Sequence, residues 1–78
     1  MKEVLVFKEQ GGIVRLDLDF YREFVSFRVD GTVILRFVGG MEWRKIERIT
    51  ATACCKEYFL SSPLKVLGME DIRKKVQS

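Results

Sequence analysis

Seventy-eight residues with a net charge of +3, 47% hydrophobic and 32% charged, read as one small globular domain spanning 1–78, far from the composition of a disordered chain. A chain this short hides only about 60–65% of the surface its unfolded form exposes, so most strong apolar positions are needed for folding. The absence of histidine removes the commonest general base and most zinc sites.

Apolar runs such as Val33-Ile34-Leu35 and Tyr58-Phe59-Leu60 fall far short of the roughly 20 residues of a membrane span. Charges interrupt Met1 to Lys8, which therefore lacks the apolar core of a secretory leader; a cytoplasmic location is expected, with no membrane partner. Cys54 and Cys55 are adjacent, an arrangement that strains a mutual disulfide and leaves a metal short of ligands. Asparagine is absent and glutamine occurs twice while Lys, Arg and Glu abound, a thermophile-like composition.

From residue 4 to 38 apolar and polar residues alternate at period two in four runs, near 3–9, 13–21, 24–29 and 32–38, which predicts an antiparallel β-meander over about 3–38. Gly11-Gly12 reads as the first hairpin turn and sets Leu5 and Phe7 opposite Leu18 and Leu16. A turn at Arg22-Glu23 pairs Leu16, Leu18 and Phe20 with Val29, Phe27 and Val25. Val29-Asp30-Gly31 suits a three-residue loop with Gly31 left-handed, aligning Phe27 with Val33 and Val25 with Leu35. All three registers share one apolar face of Leu5, Phe7, Val14, Leu16, Leu18, Phe20, Val25, Phe27, Val33, Leu35 and Phe37, which needs a cover.

After Gly39-Gly40 the period changes. Trp43, Ile46, Ile49, Thr50 and Ala53 fall together at 100° per residue, which predicts a helix over about 41–56 lying on the sheet. The β-branched run Ile49-Thr50-Ala51-Thr52 equally fits a fifth strand over 50–60. Ser61-Ser62-Pro63 is a break. Met69, Ile72 and Val76, with acids first and bases last, predict a short C-terminal helix over about 69–76. The expected fold class is therefore α+β, a four-stranded meander covered by two helices.

No constellation carries catalysis. Asp17 and Asp19 share a strand face but read as partners of cross-strand arginines, Asp17 with Arg28 and Asp30 with Arg15. The glycine pairs match no phosphate-binding spacing, and no serine has a histidine to activate it. The expected protein is not an enzyme, needs no cofactor or metal, and shows no small-molecule substrate.

The outer sheet face is the more informative surface. Aromatics interleaved with arginines suit single-stranded or duplex nucleic acid, because bases stack on rings and phosphates pair with guanidinium groups. The residues expected to do this, in a homodimer, are Arg15, Arg28, Arg36, Tyr21 and Phe24, helped by Arg44 and Arg48 on the basic helix stripe. The alternative is a protein-interaction or assembly module, a homo-oligomer whose contact is Val4, Val6, Phe24, Ile34 and Val38.

Overall fold

A computed structural model of the protein describes residues 1–68. In chain order the elements are β1 (Lys2–Glu9), β2 (Gly12–Asp17), a four-residue helix α1 (Leu18–Tyr21), a 3-10 turn (Arg22–Phe24), β3 (Val25–Phe27), β4 (Thr32–Phe37), β5 (Gly40–Ala51), β6 (Cys55–Leu60) and β7 (Lys65–Gly68). The strands form one mixed sheet ordered β2-β1-β6-β5-β4-β3, with β7 added to β5. Among the described strands only the β1–β6 pair is parallel. Among the described residues the expected meander capped by a helix over 41–56 is therefore corrected to a seven-stranded sheet with one short helix, while the helix expected over 69–76 lies outside them.

Two of the three expected hairpins form. Val25 pairs with Leu35 and Phe27 with Val33 as anticipated, and Gly31 takes φ 87°. There the Asp30 carboxylate accepts the Thr32 N–H at 2.9 Å. In the first hairpin the turn sits one residue earlier, at Gln10-Gly11, so Leu5 meets Leu16 and Phe7 meets Val14. A displacement of two positions keeps every side chain on its face.

The second hairpin does not exist. The Asp17 carboxylate accepts the Asp19 N–H at 2.9 Å and caps α1, a local bond that competes with strand continuation. The segment 18–24 then carries the chain from one edge strand, β2, to the opposite edge strand, β3. Leu18 consequently packs in the interior, and Phe20 is exposed.

The expected helix 41–56 is instead β5, a turn and β6, and a bulge explains the misleading spacing. Ile46 pairs with Leu60 and Arg48 with Phe59, which leaves Glu47 as the extra residue. Inserting one residue inverts the alternation beyond it, so Ile46 and Ile49, three apart, both face the side of Leu60 and Tyr58. On β5 before the bulge, the inward positions are Glu42 and Arg44, charges that erase the ordinary period-two signature.

Among the described residues no helix longer than four residues covers the inner face; the sheet curls upon itself. The Phe27 and Tyr58 rings lie 5.2 Å apart although two strands separate β3 from β6 in the sheet order, which in a flat sheet would place them about 14 Å apart. Leu5, Phe7, Leu18, Val25, Val33, Leu35, Tyr58 and Leu60 form the core so enclosed. Among the described residues, a sheet closing on its own face takes the place of a second layer.

Candidate functional site

Where the two ends of the curled sheet approach each other, they leave a groove of about 580 Å³. Its walls are Val14 and Leu16 of β2, Val25 of β3, Leu35 and Phe37 of β4, and Phe7 of β1; Tyr21, Phe24, Arg36 and Val38 stand at its rim, with Glu9 and Glu42. Tyr21, Phe24 and Phe37 are each nearly half exposed, and Val38 is almost fully so. The short helical segment 18–24 presents Tyr21 and Phe24 here because Leu18 is anchored in the core. β2 is an edge strand, so backbone donors and acceptors run beside the apolar wall.

Beneath the groove lies a buried ion cluster. Arg44 is only 1% exposed. Its Nε donates to the Glu42 carboxylate at 2.7 Å, one terminal nitrogen donates to Glu9 at 2.8 Å, and the other donates to the Ser61 and Lys8 carbonyls at 2.9 and 3.3 Å. The guanidinium also lies 4.6 Å from the Phe7 ring centroid. An arginine tolerates such a place because its planar fork can satisfy several acceptors at once. Arg44 is thus an interior tie between β5, the end of β1 and the start of the β6–β7 connection, rather than part of a solvated basic stripe.

The other expected nucleic-acid residues are divided among surfaces. Tyr21, Phe24 and Arg36 meet at the groove rim, where Arg36 donates to the Glu23 carbonyl at 2.6 Å. Arg28 sits in the β3–β4 turn, 3.9 Å from Asp30. Arg15 and Arg48 lie on the outer face, Arg15 bonded to Glu57 and Arg48 stacked 4.1 Å from the Phe59 ring centroid. The anticipated Asp17–Arg28 and Arg15–Asp30 pairs do not form; Asp17 instead lies 3.4 Å from Lys2.

The expected self-association patch is likewise dispersed. Val4 and Val6 are buried. β1 runs between β2 and β6, and the Arg15–Glu57 ion pair joins the residues that stand beside Val6 and Val4 on those strands. Ile34 is half-buried, and only Phe24 and Val38 are together, at the groove.

At the far end of the inner face the Tyr58 hydroxyl donates to Glu3 at 2.6 Å and Arg22 donates to the same carboxylate at 2.9 Å. The Tyr58 bond, reinforced by Arg22, holds the Glu3 carboxyl below the usual range. Burial, followed by the neighbouring Glu3, pushes the Tyr58 phenol up. Each shift has a structural cause in this one cluster.

Among the described residues no group of three or more Cys, Asp or Glu side chains could hold a metal ion, and no helix is long and apolar enough to cross a membrane. Cys54 and Cys55 are free thiols at the β5–β6 turn. Comparison of the chain with known protein families, with curated proteins and with solved structures finds no match.

Sequence reasoning singled out Tyr21, Phe24 and Arg36 but missed Phe37, Val14 and Leu16 as groove residues, assigning them to a covered core. Their signal was the uninterrupted apolar face; that part of it would stay open was a property of the curl.

Proposed function

We propose that the protein is a small, non-enzymatic binding module that holds an apolar segment of a protein partner in the groove between its sheet edges. The observation that carries this reading is the pairing of an apolar, aromatic-rimmed cleft with the edge strand β2 along one wall. An extended segment added to that edge gains main-chain hydrogen bonds and drops alternate side chains between Tyr21, Phe24 and Phe37. Buried aromatics supply most of the affinity at such contacts.

Panning a peptide library against the full chain, then titrating an enriched peptide by 1H–15N NMR, tests it. Shifts are expected at Val14, Leu16, Tyr21, Phe24 and Phe37, and Phe24→Asp, a change at a half-exposed side chain, is expected to weaken binding at least tenfold. Equal binding by Phe24→Asp ends the groove reading.

Single-stranded nucleic acid is the second reading, supported by the convergence of Tyr21, Phe24 and Arg36 on one rim. Against it, the groove is lined by two carboxylates, Glu9 and Glu42, and one guanidinium, Arg36, a set that gives phosphates no net attraction. Oligonucleotide binding that shifts the same amides and falls steeply with salt would establish nucleic acid as the ligand instead.

A further inference from the structure

The outer face of the sheet carries a second hollow, of about 520 Å³, that has only Phe7 in common with the groove. It opens where a strand pair ends. β1 and β6 keep parallel register only as far as Val6 beside Phe59; β1 goes on to Glu9 paired with β2, while the chain leaves β6 at Leu60. Arg44 donates to the Lys8 and Ser61 carbonyls and so ties the two banks of the gap together from the inner side. Its own charge is matched there by Glu9 and Glu42.

The walls are aliphatic: Val6 is buried, and Ile13 stands 68% exposed beside Lys8. Around them are two cations, Lys8 and Arg48, and one carboxylate, Glu47, which leaves one positive charge in excess. Among the described residues Lys8 and Arg48 form no ion pair, whereas Lys2, Arg15, Arg22, Arg28 and Arg44 all do. Glu57 feels the Arg48 charge but is itself bonded to Arg15. The Arg48 guanidinium lies over the Phe59 ring, 4.1 Å from its centroid. That contact restrains the fork, whose N–H groups have no acceptor among the described residues. A planar anion with two oxygens is what such a fork recognises.

We propose that this hollow binds a medium-chain alkanoate, its carboxylate on Arg48 with Lys8 adding charge, and its alkyl chain on Val6 and Ile13. One excess positive charge balances one carboxylate, whereas a phosphate monoester brings about −1.5 to −2 at neutral pH. An alkyl chain suits the site better than an aromatic ring, because Arg48 already takes one face of Phe59 and the other walls are aliphatic. The volume falls within the roughly 300–1,000 Å³ of small-ligand sites. The site is independent of what the groove holds.

Titrating the full chain with octanoate at constant ionic strength, followed by 1H–15N NMR, tests it. Octanoate is expected to shift the amides of Val6, Lys8, Ile13, Arg48 and Phe59 while those of Tyr21, Phe24 and Phe37 stay in place, and butanoate is expected to bind at least tenfold more weakly. Arg48→Met, at an exposed position, is expected to weaken octanoate at least tenfold with an unchanged circular dichroism spectrum. Ile13→Asp, also exposed, provides a second variant with the same expected loss should Arg48→Met not fold. Octylammonium or octanol moving the same amides with equal affinity overturns the inference, as does tighter binding of octyl phosphate. Shifts confined to the groove, or no shift at millimolar octanoate, overturn it as well.

Discussion

Replacing Arg44 by methionine removes a cation that two carboxylates, two carbonyls and an aromatic ring all address. The largest consequence is at Glu42, 8% exposed, whose carboxylate loses its guanidinium partner. Orphaning one member of a buried pair costs about 3–5 kcal/mol. The freed Lys8 and Ser61 carbonyls and the lost contact with Phe7 add about 1–2 kcal/mol more, since β1 can shift toward the gap. A 78-residue domain holds only about 4–12 kcal/mol in total at typical values per residue, so Arg44→Met leaves it marginal or unfolded at 25 °C. Adding Glu42→Leu removes the orphaned charge, and the double variant is expected to recover about 3 kcal/mol. Urea titration followed by Trp43 fluorescence and far-UV circular dichroism measures both. A loss below about 1 kcal/mol in Arg44→Met, or a double variant no more stable than the single, refutes the account of Arg44 as an interior tie.

The depressed Glu3 pKa makes stability pH-dependent in a defined direction. Because the folded value lies below the ordinary carboxylate value, the contribution is complete above about pH 4.3 and disappears as pH falls through the folded value. Melting temperature is therefore expected to fall less steeply between pH 5 and pH 2 in Glu3→Gln than in wild type, and parallel acid limbs would refute this. At Gly40, φ is 149° and an added Cβ would run into the Leu67 carbonyl oxygen. Gly40→Ala should release β7 from β5, seen as lost hydrogen-exchange protection over 65–68 with β1 and β6 still protected; unchanged protection there would contradict the register.

Local alternation revealed four of the strands and the third hairpin because the information lay within a few residues: Asp30 and Gly31 set a turn, and Val25, Phe27, Val33 and Leu35 set a face. The same locality misled at Arg22-Glu23. Period-two apolar residues on both sides suggested a hairpin, yet the Asp17 cap and burial of Leu18 turn the chain out of the sheet. At 41–56 the inward charges Glu42 and Arg44 hid one half of β5, and the bulge at Glu47 placed Ile46 and Ile49 at helical spacing on one face. The site was legible in fragments. Tyr21, Phe24 and Arg36 stood out as an aromatic and basic group, while Arg44, grouped with the surface cations, lies inside.

By itself the sequence determined that these 78 residues hold no histidine and carry an apolar face running through Leu5, Phe7, Val25, Val33 and Leu35. Only the tertiary structure decided what covers that face. Inserting β1 in parallel beside β6 and curling the sheet until Phe27 meets Tyr58 are contacts between residues distant in the chain, whose pairing energy no local pattern encodes. The open seam left by that curl is where Tyr21, Phe24 and Phe37 come together.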